Sequence, residues 1–150
     1  MKPMSLLTVL GAEGFIEIPL RMTASGLIEV DVRVNGEPGL LVLDTGAGAT
    51  VFDAASAARL HLDLNQTEAT GAGLGSGSHP AQASLVNDLT IGSLHLASLE
   101  TLVMDLSHLN EARARKGMVA CDGILGADIL GGRSAVIDYG SQNLYLRSAP

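Results

Sequence analysis

The residues best suited to chemistry lie where an apolar run ends in a carboxylate and a glycine turn. Residues 40–43 are all apolar, and Asp44, Thr45 and Gly46 follow them directly. A carboxylate placed where a buried strand breaks into a turn is held rigidly and can still face a cleft, as a catalytic acid or base must. Asp44 is therefore the candidate catalytic residue, and a turn residue or helix cap is the structural alternative.

Other residue types that support catalysis do not form a known pattern in this sequence. The glycine-rich segment 70–78 lacks the Lys-Ser/Thr ending and the strand-to-helix context of a phosphate loop. The histidines are scattered, so the sequence predicts no metal site and no cofactor. No serine has the context of a nucleophile elbow. Cys121, the single cysteine, is predicted to be a small buried side chain rather than a nucleophile.

The elements next to Asp44 can be predicted from local patterns. Residues 28–34 alternate strictly between apolar and polar side chains, which indicates a half-buried strand. Asn35-Gly36 favours a tight hairpin turn, after which residues 40–43 return as an interior strand that leads to Asp44. Residues 53–60 contain no β-branched side chain and begin with Asp53, so they predict one short, capped helix.

The remaining chain predicts a mostly β domain. Short apolar runs separated by polar or glycine breaks are typical of strands, and they occur at 83–86, 89–91, 94–96, 99–104, 123–126, 135–138 and 144–146. Segment 107–116 predicts a surface helix or loop, with its positive charges on a solvated face. No repeat or internal boundary divides the chain, so we expect one domain over 1–150, with a core of about 27–146 and an N-terminal arm at 1–20.

Composition limits the function classes. The chain has 150 residues, is 47% hydrophobic but only 3% aromatic, and has a net charge of −7. An acidic, aliphatic domain is a poor candidate for binding nucleic acid or an anionic membrane surface. The apolar stretch at 4–12 is shorter than the ~20 residues of a membrane span and is a poor signal peptide. We therefore expect no membrane insertion, and cytoplasmic localisation by default, with an exported or anchored precursor left open.

Two motifs together carry a resemblance to a known family. Asp44-Thr45-Gly46-Ala47 follows an apolar strand, Thr50 lies six residues past the aspartate, and Gly123-Ile124-Leu125-Gly126-Ala127-Asp128 comes later in the chain. This combination resembles the retropepsin-like aspartic proteases. Gly48 and Ala127 stand where many viral members carry an acidic residue and an arginine, and the segment after Gly126 is longer. The chain therefore looks more like the cellular and bacterial retropepsin-like proteins than the viral enzymes, and whether it dimerises through the chain ends in the viral mode is left open.

The resemblance implies an all-β, mostly antiparallel fold: a closed acid-protease-type barrel with one or two short helices and a glycine-rich flap hairpin. Asp44 would be the catalytic carboxylate. The residues that would support its loop are Thr45, Gly46, Ala47, Thr50, Ile124, Leu125 and Gly126. The flap that covers the substrate would contain Gly71, Gly73, Leu74, Gly75 and Gly77. On structural grounds alone, Thr50 could instead bond to local backbone, and Asp128 could cap the turn that follows it.

The single Asp-Thr-Gly motif has a consequence for assembly. Aspartic-protease chemistry requires two carboxylates that share one proton, and Asp122 and Asp128 lack the motif's context. The second carboxylate would therefore be Asp44 of another copy, related by a two-fold axis. The expected function is a homodimeric aspartic endopeptidase that acts on peptide or protein substrates. The alternative is a catalytically inactive dimerisation or peptide-binding module with the same fold.

Overall fold

The computed structural model describes residues 4–70 and 80–150. The predicted flap residues Gly71, Gly73, Leu74, Gly75 and Gly77 lie outside the described residues. Within them, the helices are α1 (Leu6–Ala12), α2 (Ser107–Arg115) and α3 (Ala127–Gly132). The strands are β1 (Phe15–Pro19), β2 (Arg21–Met22), β3 (Ile28–Val34), β4 (Glu37–Leu43), β5 (Val51–Asp53), β6 (Asp63–Thr70), β7 (Pro80–Ile91), β8 (Leu94–Met104), β9 (Gly123–Leu125), β10 (Val136–Asp138) and β11 (Asn143–Arg147).

Six of these strands close a barrel. They run in the order β3-β4-β9-β5-β8-β7, and β7 pairs with β3 again to complete the ring. Most neighbours are antiparallel, but β4 is parallel to β9 and β5 is parallel to β8. A smaller sheet of order β1-β11-β10 lies outside the ring. The predicted mostly antiparallel, closed barrel is confirmed, although the described residues contain three short α-helices instead of one or two.

The hairpin that leads to Asp44 forms as its sequence predicts. Asn35 and Gly36 have φ values of 50° and 86°, the left-handed conformations that a tight two-residue hairpin turn requires. Val34 pairs with Glu37, and the ladder continues to the pair of Ile28 with Leu43. The apolar face of β3 packs into an aliphatic core, in which Val30 is 1% exposed and Val34 fully buried.

Longer strands replace the short runs expected between residues 83 and 104. β7 and β8 form one extended hairpin, whose ends meet at the pair of Ile91 with Leu94. Gly92 supplies the turn with a φ of 60°. Polar residues within these strands keep their backbone pairing; Asp88 of β7, for example, lies opposite Ala97 of β8. Polar breaks in the sequence therefore marked solvent-facing strand positions and did not end the strand.

Two expectations, for residues 53–60 and for segment 107–116, are only partly met. Asp53 caps a helical turn as expected, accepting from the N–H of Ala55 at 3.3 Å, but the turn is a 3-10 helix over Ala54–Ser56 followed by hydrogen-bonded turns, not one helix over 53–60. Asp53 itself also ends β5, where it pairs with Met104 of β8. The charges of segment 107–116 do not all face solvent either. Arg113 on α2 is 1% exposed, because its guanidinium pairs with the buried carboxylate of Glu29 on β3.

The segment assigned to an N-terminal arm contains regular structure. α1 precedes β1, and β1 pairs with β11 from Phe15 opposite Arg147 to Pro19 opposite Asn143. Ile18 is 2% exposed and joins the main core cluster. The two ends of the described chain are therefore joined in one sheet. No helix among the described residues is long and apolar enough to cross a membrane.

Candidate active site

Asp44 is the first residue after β4, and backbone hydrogen bonds fix its position. Its N–H donates to the carbonyl of Leu125 at 3.0 Å, and its carbonyl accepts from the N–H of Ala47 at 3.2 Å. Its Oδ1 accepts from the N–H of Gly46 at 2.8 Å. A Cβ at Gly46 would lie 3.2 Å from that same oxygen, so any side chain there would crowd the carboxylate. The side chain of Asp44 is exposed while its backbone is held on both sides.

The second motif packs directly against this loop. β9 runs parallel to β4, with Leu43 opposite Leu125, which is fully buried. Beyond β9, the N–H of Ala127 donates to the carbonyl of Ala47 at 2.7 Å. A Cβ at Gly126 would meet the carbonyl oxygen of Ala49 at 2.5 Å. Glycine at this position therefore lets the two motifs approach closely enough to hold the Asp44 loop.

Thr50 and Asp128 link the loop to α3. The Thr50 hydroxyl accepts from the N–H of Gly126 at 3.1 Å and donates to Asp128 Oδ1 at 2.8 Å. The N–H of Thr50 donates to Asp128 Oδ2 at 3.0 Å. Thr50 thus bonds to residues distant in sequence instead of local backbone. Asp128 lies in the first turn of α3, where Gly126 is the N-cap residue, so its carboxylate ties two segments together.

Thr50→Val is expected to lower the free energy of unfolding by about 2 kcal/mol. Valine has nearly the same shape, but it leaves the N–H of Gly126 and the carboxylate of Asp128 without the buried hydroxyl. Chemical denaturation followed by circular dichroism measures this change. Thr101→Val is the matched control, because Thr101 is also buried but its hydroxyl has no partner among the described residues. We expect that control to be neutral or stabilising; an equal loss in both variants would contradict the role of the Thr50 network.

A cavity of about 290 Å³ opens at Asp44. Its walls are the turn between β2 and β3, the end of β4, and the side chains of Ile137 and Tyr139 around β10. Among the described residues, Asp44 supplies the carboxylate that lines this cavity. Thr45 also lines a neighbouring cavity of about 420 Å³ against α3. The arrangement offers a water or a substrate carbonyl one exposed carboxylate in a cleft whose lining is both polar and apolar.

Two other carboxylates, which lie at the end of β9 remote from the Asp44 loop, are occupied in structural bonds. Asp122 Oδ2 accepts from the N–H of Leu40 at 2.9 Å, and its Oδ1 accepts from Ser56 at 2.7 Å and pairs with Arg59. Asp53 accepts from the N–H of Leu106 and from the Asn110 side chain, which anchors α2. Neither set of bonds was predicted from the sequence. The position of Asp122 directly before a buried strand could have indicated a structural role. Its bonding partners could not be predicted, because they are distant in sequence.

Cys121 is buried, as predicted, at 1% exposure. Burial raises the pKa of its thiol, so it is a poor nucleophile at neutral pH. Within residues 4–70 and 80–150, no group of three or more His, Cys, Asp or Glu side chains is placed to hold a metal ion.

Comparisons with known proteins agree with this geometry. A family model described as aspartyl protease matches residues 30–129, which is two thirds of the chain and contains both motifs. A search of curated proteins returns no match.

Solved structures show similar folds. A retropepsin-like aspartic protease from Rickettsia conorii aligns with a TM-score of 0.59 and 20% identity, covering 89% of this chain and 90% of that one. The retroviral protease-like domain of Ddi1 from Leishmania major aligns with a TM-score of 0.50 and 15% identity, covering 81% and 95%. EIAV protease in complex with the inhibitor HBY-793 aligns with a TM-score of 0.48 and 26% identity, covering 69% and 84%. The fold is retropepsin-like.

Proposed function

This chain belongs to the aspartyl protease family, and from that premise we propose that it is an endopeptidase active as a homodimer. The observation that carries the proposal is the exposed carboxylate of Asp44, held by backbone bonds at the end of a buried strand. The cleft beside it runs along the turn between β2 and β3, where an extended peptide can lie.

The proposed reaction uses two Asp44 side chains, one from each copy. One carboxylate takes a proton from a water molecule while the other, protonated, donates its proton to the carbonyl oxygen of the scissile peptide bond. The water oxygen bonds to the carbonyl carbon and gives a tetrahedral diol. The carboxyl group that took the proton of the water then gives it to the amide nitrogen, while the other carboxylate takes a proton back from one diol hydroxyl. The carbon–nitrogen bond breaks and the two peptides are released. No covalent bond to the enzyme forms.

Several features of the described residues support the second copy as the source of the second carboxylate. Asp53 and Asp122 are engaged elsewhere, as described above, and Asp128 binds Thr50. A two-fold axis beside Asp44 would place the surface around β10 against its symmetry mate. β10 is an outer strand of its sheet, and Tyr139 next to it is 70% exposed. An unpaired strand edge beside an exposed aromatic side chain is suited to pairing with another copy.

Tyr139→Ser is expected to weaken dimerisation about tenfold, since an aromatic side chain near the axis contributes apolar contact area. Sedimentation equilibrium measures the dissociation constant. Leu7→Ser is the control, because Leu7 is also an exposed apolar residue, at 45%, but lies on α1. An unchanged dissociation constant for Tyr139→Ser, or an equal change in both variants, would exclude this surface.

The direct test of the function is digestion of a denatured protein mixture between about pH 4 and 7, with new chain ends identified by mass spectrometry. We expect internal cleavages whose rate depends on the square of protein concentration below the dissociation constant of the dimer. A folded dimer that cleaves nothing across this range would instead support the alternative, a peptide-binding or dimerisation module.

A further inference from the structure

A second cavity, of about 560 Å³, lies outside the site described above. The turn between β2 and β3 forms one wall at residues 23–25, and the segment after α2 forms the other with Lys116, Met118 and Val119. Glu29 lines the cavity between these walls. We call this cavity the Lys116 pocket.

Strand geometry places the Lys116 pocket close to Asp44. Glu29 on β3 is directly opposite Val42 on β4, and Val42 lies two residues before Asp44 and lines its cavity. Paired residues share a sheet face about 5 Å apart, and two residues along a strand span about 7 Å. Extending this spacing one residue beyond the end of β4 gives a distance of about 9 Å between the Cα atoms of Glu29 and Asp44. The two cavities also share the turn between β2 and β3. Residues 23–25 line the Lys116 pocket, and Gly26 and Leu27 line the Asp44 cavity.

Buried ion pairing fixes the outer wall of the pocket. Arg113 Nη2 lies 2.6 Å from Glu29 Oε1, and Arg113 Nε donates to the carbonyl of Val119 at 2.8 Å. Arg113 is 1% exposed, so these bonds are shielded from water. Across the pocket, Ser25 Oγ contacts Met118 Sδ at 3.7 Å. The segment carrying Lys116 is thereby held in a defined position relative to β3.

The charges around the pocket leave one cation in excess. Two carboxylates, Glu29 and Asp31, are matched by two guanidiniums, Arg21 and Arg113. A hydrogen bond from Arg21 holds the pKa of Asp31 below its usual value, so both members of that pair stay charged. Lys116 is exposed and has no ion pair among the described residues. Glu29 is thus already paired, and Lys116 is the lining cation left to pair with a ligand carboxylate, beside the apolar side chains of Met118 and Val119.

We propose that the Lys116 pocket is a substrate subsite that selects an acidic side chain two or three residues from the scissile bond. The proposal rests on the endopeptidase function above. An extended peptide rises about 3.3 Å per residue, so a distance of about 9 Å corresponds to two or three residues. The carboxylate of the substrate pairs with Lys116, while its methylene groups contact Met118 and Val119. A two-fold dimer has one such pocket on each side of the scissile bond.

The test is cleavage-site profiling on a mixed peptide library. Wild type is compared with Lys116→Glu and with Arg115→Glu, a control that makes the same charge change at an exposed neighbour that does not line the pocket. We expect wild type to favour Asp or Glu two or three residues from the cut by about three- to fivefold. Lys116→Glu should abolish or reverse this preference, and Arg115→Glu should retain it.

Each result decides between the proposals. Three results would overturn the subsite and leave the endopeptidase function in place. They are cleavage by wild type without an acidic preference, an acidic preference that is unchanged in Lys116→Glu, and an equal loss of that preference in Arg115→Glu. Absence of any cleavage by folded, dimeric wild type would refute the endopeptidase function and the subsite with it. Raising salt provides a second measurement: it should weaken the wild-type preference, because the pairing at Lys116 is exposed to solvent.

Discussion

Asp44→Asn is expected to lower kcat/KM by about 10⁴-fold while the protein stays folded and dimeric. Asparagine has nearly the same shape, and its Oδ1 can still accept the hydrogen bond that the N–H of Gly46 donates to Asp44. The loop geometry is therefore kept, but the side chain can neither take a proton from water nor donate one at this position. Steady-state cleavage of a peptide identified by profiling measures the loss.

The control for this variant is Asp63→Asn, which removes a charge from an exposed carboxylate at the start of β6. It should cleave as wild type does. Asp44→Asn should also dimerise at least as tightly as wild type, because it removes the negative charge of the carboxyl pair near the two-fold axis. Activity of Asp44→Asn within tenfold of wild type would rule out Asp44 as the catalytic carboxylate.

Mixing wild type with Asp44→Asn tests whether one site is shared between two chains. When subunits exchange freely at equal amounts, only about one quarter of the dimers contain two wild-type chains. At a fixed amount of wild type above the dissociation constant, activity should then fall to about half. A site contained within a single chain predicts no change on mixing.

The parts of the fold that the sequence predicts are those specified by neighbouring residues. The Asn35-Gly36 turn and the alternation in β3 were predicted because turn chemistry and a two-residue period are local. At residues 53–60 the cap at Asp53 was predicted but the length of the helix was not, because Asp53 is also the last residue of β5 and pairs with Met104, which is distant in sequence. Tertiary contacts override weak helix propensity in this way.

The same distinction holds for the site. Asp44 was identified because its signal, an apolar strand that ends in Asp-Thr-Gly, is continuous in sequence. The bond between Thr50 and Asp128 joins residues 78 positions apart, and the pair of Glu29 with Arg113 joins residues 84 apart. No local pattern indicates which carboxylate faces which partner. Arg113 was accordingly placed on a solvated face, although it is among the most buried side chains.

Gly126→Ala is expected to destabilise the protein by about 3 kcal/mol and to reduce activity in the fraction that remains folded. The new Cβ would lie 2.5 Å from the carbonyl oxygen of Ala49 and 2.9 Å from that of Ala47. Both contacts are with backbone, so the clash cannot be relieved by rotating a side chain. The loop that carries Asp44 must shift, and the bond from the N–H of Gly126 to Thr50 lengthens with it.

Gly132→Ala is the matched control for this substitution. Gly132 is the last residue of α3, the helix that follows Gly126, and a Cβ there would meet nothing within 4 Å. Alanine in a helix is up to about 1 kcal/mol more favourable than glycine, so this variant should be neutral or slightly stabilised. The chain has no tryptophan, so unfolding is best followed by far-UV circular dichroism, at one protein concentration because dimerisation contributes to stability. If Gly126→Ala unfolds with the same midpoint as Gly132→Ala, close packing of the two motifs does not hold the catalytic loop.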